Sequence, residues 1–237
     1  MTNYTIKNKN ISTDEIYDIV FKNKKLSLSK TVISNINKSR SFLEKKIKDE
    51  NKPFYGINTG FGDLHNVKIN NDNLEILQSN LLRSHACGTG EKVESNIVKL
   101  MMLLKIISLS KGFSGIKLET VERLLFFYNN NIFPVVYKYG SLGASGDLSP
   151  LSHMSLPIIG EGEVEYKGKV INSKKVLKKY SLKKINLGLK EGLALINGTQ
   201  FMLSSLLYSL FDAYRISYLA DKISSISLEA VSYTHLT

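Results

Sequence analysis

The sequence predicts a mainly α-helical protein, with an amino-terminal domain that carries shaped loops and a minor β-hairpin. That domain leads into a long-helix bundle that is truncated. Three observations predict this. Apolar residues recur three and four apart in several segments before residue 130, the spacing of one face of a helix. Two glycine-rich stretches, residues 54–62 and 140–150, interrupt the pattern. From Thr199 to Ala230 there is no proline or glycine, and Leu, Ile, Met and Phe keep helical spacing throughout.

Each element carries its own signal. Ser12 and Glu15 stand at capping-box spacing ahead of Ile16, Ile19 and Val20, which starts a first helix. Val32, Ile36, Leu43 and Ile47 fall on one stripe of a second. Asp72 suits the cap of a third, with Leu74, Leu77, Leu81 and Leu82 facing inward. A fourth, at about Glu94 to Lys111, is densely apolar and stops at Gly112, which tolerates the left-handed turn past a helix end. A fifth runs near Leu118 to Asn129 and ends before Pro134. Between Glu163 and Ile171, Val164 and Tyr166 alternate ahead of Lys167-Gly168 and Val170, the pattern of a hairpin. The last helix would be about 48 Å long at ~1.5 Å per residue. A helix of that length needs long neighbours, and the rest of the chain offers few, so part of the bundle is expected to be missing.

Composition narrows the function classes. The chain has 237 residues, 43% of them hydrophobic and 22% charged, as in ordinary soluble globular proteins. Cys87 stands alone, which excludes an intramolecular disulfide and points to a reducing, cytoplasmic setting. Met1 to Asn10 is polar, so no signal peptide is expected. Gly192 to Phe211 lacks charge, but Asn197, Gly198, Thr199 and Gln200 interrupt it; a buried helix is expected there rather than a membrane span. The net charge of +11 raises the question of nucleic acid. Only Arg40, Arg83, Arg123 and Arg215 offer the planar donors that such recognition favours, and the lysines lie on predicted solvent faces. No nucleic-acid partner is expected.

Two irregular stretches hold the candidate chemistry. Phe54 to Gly62 has three glycines and Tyr55 at its entrance, a shaped loop or a plain surface turn. Gly140 to Pro150 feeds a helix, with Ser149 as the expected cap and Pro150 as the first helical residue. A glycine-rich loop ahead of a helix suits anions, but no Gly-Lys-Ser/Thr or Gly-x-Gly-x-x-Gly pattern supports nucleotide binding. His65, His153 and His235 show no metal-ligand spacing with one another or with Cys87, so no metal is expected.

Four blocks together resemble the aromatic amino-acid ammonia-lyase family, and within it the histidine-specific members. They are Tyr55 to Gly62, Leu77 to Gly90, Gly140 to His153 with its Gly-Ser-Leu-Gly-Ala-Ser-Gly-Asp-Leu-Ser-Pro-Leu run, and Lys190 to Gln200. They follow the family's order and spacing. The resemblance implies that Ala144, Ser145 and Gly146 cyclise into a methylidene-imidazolone electrophile without a metal. It implies that Tyr55 removes the substrate β-proton, that Asn197 hydrogen-bonds near the ring, and that Gly62 and His85 bind substrate. Asn197 also reads as a plain N-cap of the long helix, a role compatible with the first, and Asp147 as a structural cap or, second to that, a support for cyclisation. At Ser84-His85-Ala86, tyrosine-specific relatives resemble His-Leu and phenylalanine-specific ones Phe-Leu, which favours L-histidine and its conversion to urocanate and ammonia. A tyrosine or phenylalanine lyase or an aminomutase is the alternative.

The resemblance also implies a homotetramer with active sites shared between subunits. It divides the chain into residues 1–198, carrying the prosthetic-group loop, and residues 199–237, the first long helix of the bundle. The family pattern holds to about Ala230, so residues 232–237 are expected to be a non-native end. An incomplete, catalytically inert polypeptide is therefore the reading from another class.

Overall fold

The computed structural model describes residues 2–50, 53–54, 56–59 and 74–234. Tyr55, Gly62, His65, Asp72 and His235 lie outside the described residues. The fold is mainly helical, as the periodicity predicts. Strand β1 (Asn3–Ile6) runs through helix α1 (Thr13–Phe21) into β2 (Lys25–Leu28), and the two strands pair in parallel. In α1 the capping box forms: Ser12 Oγ accepts the Glu15 N–H at 3.2 Å and the Glu15 carboxylate accepts the Ser12 N–H at 3.1 Å. Helix α2 (Lys30–Asp49) buries Val32, Ile36 and Leu43, and α3 (Leu74–His85) buries Leu74, Leu81 and Leu82.

After β3 (Thr89–Lys92) comes α4 (Ser95–Ser110), the centre of the molecule. Every residue from Val98 to Ile106 is buried, including Lys99 and Lys105. A helix apolar on all sides has no face to offer water, so its neighbours must enclose it. Helices α1, α2, α5 (Leu118–Asn129) and the amino end of α9 (Gln200–Thr234) do so. Short strands β4 (Ile132–Pro134) and β5 (Tyr137–Tyr139) follow α5; β5 pairs with β3. Helix α6 (Leu148–Ser155) precedes the predicted hairpin, β6 (Glu163–Tyr166) and β7 (Lys169–Asn172). Lys167 and Gly168 join these strands with φ of 52° and 72°, as a two-residue hairpin turn requires, and β4 adds a third strand. Helices α7 (Ser173–Lys179) and α8 (Glu191–Ile196) complete the set before α9.

Two expectations are corrected here. Asp147, not Ser149, is the N-cap of α6, and Pro150 is its third residue rather than its first. The Asp147 N–H is held by Gly198, which starts the helix early; proline survives at the third position because no intrahelical acceptor awaits that N–H. As the sequence predicts, the long helix finds few neighbours among the described residues, and these lie at its beginning. Ser204 and Leu207 are buried, whereas every residue from Asp212 to Ser232 is exposed. The stretch 191–232 is long and apolar enough to cross a membrane by length and composition, with 22% of its most apolar window buried. Residues 197–199 break it between α8 and α9.

Two polar groups, the buried Glu191 and the half-buried His153, hold the frame around the loops. The Glu191 carboxylate, fully buried, accepts from the Thr120 hydroxyl at 2.6 Å and from the Gly188 and Lys117 N–H groups at 2.7 and 3.0 Å. Removing it strands three donors, each costing about 1–3 kcal/mol when buried without a partner. Glu191→Ala should therefore lower unfolding stability by roughly 3 kcal/mol or more in a denaturant titration, and a loss below about 1 kcal/mol would contradict this role. His153 Nε2 accepts the Gly88 N–H at 2.9 Å, and its ring meets Tyr137 edge-on. Burial holds its pKa below the usual histidine value. The unfolded chain thus takes up the proton first as pH falls. The stability from the neutral ring is complete above about pH 6.5 and declines as pH drops toward the lower folded pKa. Between about pH 7.5 and 5.5, wild type should lose more stability than His153→Gln, which cannot take the proton; equal losses would exclude this assignment.

Candidate active site

The glycine-rich stretch after β5 folds into a closed turn. The Gly146 N–H donates to the Gly143 carbonyl at 3.2 Å, and the backbones of Ala144 and Gly146 are bridge-paired. Gly143 and Gly146 take φ of +74° and +98°, which side chains disfavour. Space forbids a side chain as well: a Cβ on Gly146 would lie 2.5 Å from the Gly198 carbonyl oxygen and 3.0 Å from its nitrogen. The next residue uses the same wall, because the Asp147 N–H donates to the Gly198 carbonyl at 2.7 Å. Asp147 is fully buried, and its carboxylate accepts from the Ser141 hydroxyl at 2.8 Å and from the Met202 N–H at 2.9 Å. It therefore caps α9 with its side chain while standing at the N-cap of α6. Both helices begin beside this turn, so the partial positive charge of two amino ends collects there.

The end of α3 faces the turn across a cavity of about 230 Å³. Ser84, His85 and Cys87 line one side, and Leu142, Ala144, Ser145 and Gly146 the other. His85 Nδ1 lies 2.9 Å from the Leu81 carbonyl oxygen and 3.1 Å from Ser84 Oγ; because the carbonyl can only accept, we assign the proton of the neutral ring to Nδ1. In the neutral ring Nε2 is then an acceptor, and it makes no hydrogen bond among the described residues. A larger hollow of about 490 Å³, lined by Thr13, Asp14, Tyr17, Phe211, Tyr214 and Arg215, shares no residue with the loop.

Four predicted site residues thus meet at one cavity: His85, Ala144, Ser145 and Gly146. Asn197 is placed differently from the N-cap expectation. It ends α8 as its C-cap, with its N–H on the Leu193 carbonyl at 3.0 Å, and α9 starts only at Gln200. The extended Asn197 and the positive φ of Gly198 break the helix, so the two elements stay separate. The Asn197 side chain is exposed, next to the Gly198 wall. Tyr55 and Gly62 fall outside the described residues. Around the former, Phe54 N–H donates to Asn58 Oδ1 at 2.6 Å and Gly56 N–H to Thr59 Oγ1 at 3.2 Å, with Asn58 and Thr59 buried. Sequence reasoning missed Lys105, whose Nζ donates to the Asn197 carbonyl at 2.9 Å. Its one signal is a charge inside the apolar run 98–106.

The turn fits backbone cyclisation. The closed Gly143–Gly146 turn holds the Gly146 nitrogen near Ala144, position 146 admits no Cβ, and Ala144 and Ser145 are exposed where they line the cavity.

Residues 11–235 match the family model described as aromatic amino acid lyase. The chain is 43% identical to histidine ammonia-lyase 2 of Fusobacterium nucleatum, over 95% of its own length and 44% of the relative's. It is 46% identical to histidine ammonia-lyase of Shewanella woodyi, over 90% of this chain and 42% of that one. Among solved structures, histidine ammonia-lyase from Trypanosoma cruzi superposes with a TM-score of 0.82 at 34% identity, covering 92% of this chain and 42% of that one. The chain thus spans less than half the length of these relatives. With the family model matched across nearly all of its residues and the glycine turn, His85 and the Gly198 wall brought together at one site, this chain belongs to the aromatic amino acid lyase family.

Proposed function

We propose that the protein to which these residues belong deaminates L-histidine to urocanate and ammonia without net oxidation. The observation that carries this reading is the single cavity that joins His85 to Ala144-Ser145-Gly146. The Gly146 nitrogen attacks the Ala144 carbonyl carbon and water leaves; Ser145 then loses its hydroxyl with a Cα proton as a second water. The resulting methylidene-imidazolone supplies an electrophile for the substrate amine, a reactivity that unmodified side chains lack. No metal takes part in this reading.

The chain's own residues bind and orient. His85 Nε2, an acceptor because Nδ1 is committed to Leu81, takes a hydrogen bond from the substrate ring. An imidazole N–H satisfies it and a phenyl ring does not, which leaves the acceptor unpaired and costs affinity. Tyr55 is assigned β-proton removal and Gly62 substrate contact by family resemblance. A phenol ordinarily has a pKa near ~10, so its work as a base benefits from positive surroundings such as helix amino ends. Asn197 has an exposed side chain beside the Gly198 wall, which suits a hydrogen bond to the ring.

The same reading includes a homotetramer. Tyr214, Tyr218, Leu219, Ile223, Ile226 and Val231 on α9 are exposed, and an apolar surface of this extent marks a contact surface. It also includes the division at residue 198, a cytoplasmic setting suited to the free thiol of Cys87, and no membrane or nucleic-acid partner.

Two experiments on the native gene product test this. The tryptic peptide Tyr139–Lys167 should be lighter by two waters in wild type. Ser145→Ala, with no hydroxyl to lose, should not show the full deficit and should lose nearly all turnover; near-normal turnover would sink the assignment. His85→Phe should lower kcat/KM for histidine by about 10²-fold or more and raise the relative activity on phenylalanine. If wild type prefers tyrosine, or the variant leaves the ranking of the three amino acids unchanged, His85 is not the selector.

A further inference from the structure

Lys105 lies in the middle of α4, 1% exposed, and donates from Nζ to the Asn197 carbonyl at 2.9 Å. Among the described residues this is its one hydrogen bond, and no carboxylate pairs with it. Desolvation is costly for a lone buried cation, and it pulls the Lys105 pKa down to about 7. An apolar side chain would fill the same space without that cost, so packing alone does not account for a lysine here.

The acceptor explains the position. The Asn197 carbonyl and the Gly198 nitrogen belong to one planar peptide unit, so holding the oxygen sets the orientation of the nitrogen. That nitrogen lies 3.0 Å from where a Gly146 Cβ would be, and the Gly198 oxygen accepts the Asp147 N–H. Gly198 has φ of +147° and no side chain to anchor it, and Gly146 faces it with none either. Two glycine backbones in contact need an outside hold to keep one arrangement. We propose that Lys105 is a positioning residue for the prosthetic-group loop: by holding the Asn197 carbonyl it fixes the Asn197–Gly198 peptide that braces Gly146 and Asp147. Ammonium and amine both carry N–H donors, so the hold survives deprotonation. The effect on ring closure rests on the cyclisation reading above; the mechanical effect does not.

The test compares the native gene product with Lys105→Met, which removes the donor at similar volume. Lys105→Gln keeps a neutral donor on a shorter arm. Amide hydrogen exchange is read at Asp147, with the amides of α5 as internal control, and the tryptic peptide Tyr139–Lys167 is weighed. In Lys105→Met, exchange at Asp147 should quicken at least ~tenfold while α5 stays protected, and the fraction lighter by two waters should fall several-fold. Lys105→Gln should lie between wild type and Lys105→Met, and it carries the comparison alone if Lys105→Met does not fold. Unchanged exchange at Asp147 in the folded variants overturns the proposal. If the wild-type peptide shows no water loss while Asp147 still loosens in the variants, the cyclisation reading falls and the positioning role of Lys105 stands.

Discussion

The contact between the backbones of Gly146 and Gly198 is the constraint on which the site depends. A methyl group at position 146 would stand 2.5 Å from an oxygen, well inside van der Waals distance. Relief would require the start of α6 or of α9 to move, and Asp147 opposes both movements. Its N–H holds Gly198 and its carboxylate holds Met202 and Ser141. Hydrogen bonds to a charged acceptor contribute about 1.5–3 kcal/mol each, so two of them outweigh the conformational freedom gained by release of one or two loop residues. Helix starts and loop are therefore one mechanical unit. The turn that carries Ala144 and Ser145 is exposed yet rooted in the core.

Much of this was legible in the sequence, and the exceptions share a cause. The 3.6-residue period located α1 to α5 and the long α9, with α5 near its observed bounds, because apolar residues recur at helical spacing in each; α7 and α8, of seven and six residues, are too short to show it. Strands β1, β2, β4 and β5 escaped notice because each has only three or four residues, and β3 because it buries nothing. At the site, residue types and their spacing named the chemistry. What they did not reveal is which backbone group each polar side chain serves. Asp147 precedes α6 in the chain, yet its carboxylate caps α9, 55 residues onward. Asn197 precedes α9 but ends α8. A capping residue looks the same in sequence whichever helix it serves, and only the fold decides between neighbours.

The two lysines of α4 show how similar signals acquire different meanings. Both interrupt an apolar run, and both are buried. Lys99 Nζ donates to the Val20 carbonyl near the end of α1 and to Asn23, and it lies over the Tyr128 ring. It satisfies carbonyls at a helix carboxyl end, where cations are favoured, and its role ends with the fold. Lys105 meets a single carbonyl, and that carbonyl belongs to the peptide bracing the glycine turn. The same side chain, six residues along the same helix, serves the frame in one case and the site in the other.

A site built largely from backbone needs holds that apolar packing does not supply. Van der Waals contact sets distances but leaves a glycine peptide free to rotate, whereas a hydrogen bond sets its direction. Around this cavity the holds are polar side chains: Asp147 on Met202, His153 on Gly88, Lys105 on Asn197, and Leu81 on the His85 ring in the reverse sense, backbone holding side chain. Each costs desolvation that an apolar residue would avoid. The gain is direction: the Gly146 nitrogen stays near the Ala144 carbonyl, and the open nitrogen of His85 keeps one hydrogen-bonding sense. Both are conditions that the proposed chemistry imposes before any substrate arrives.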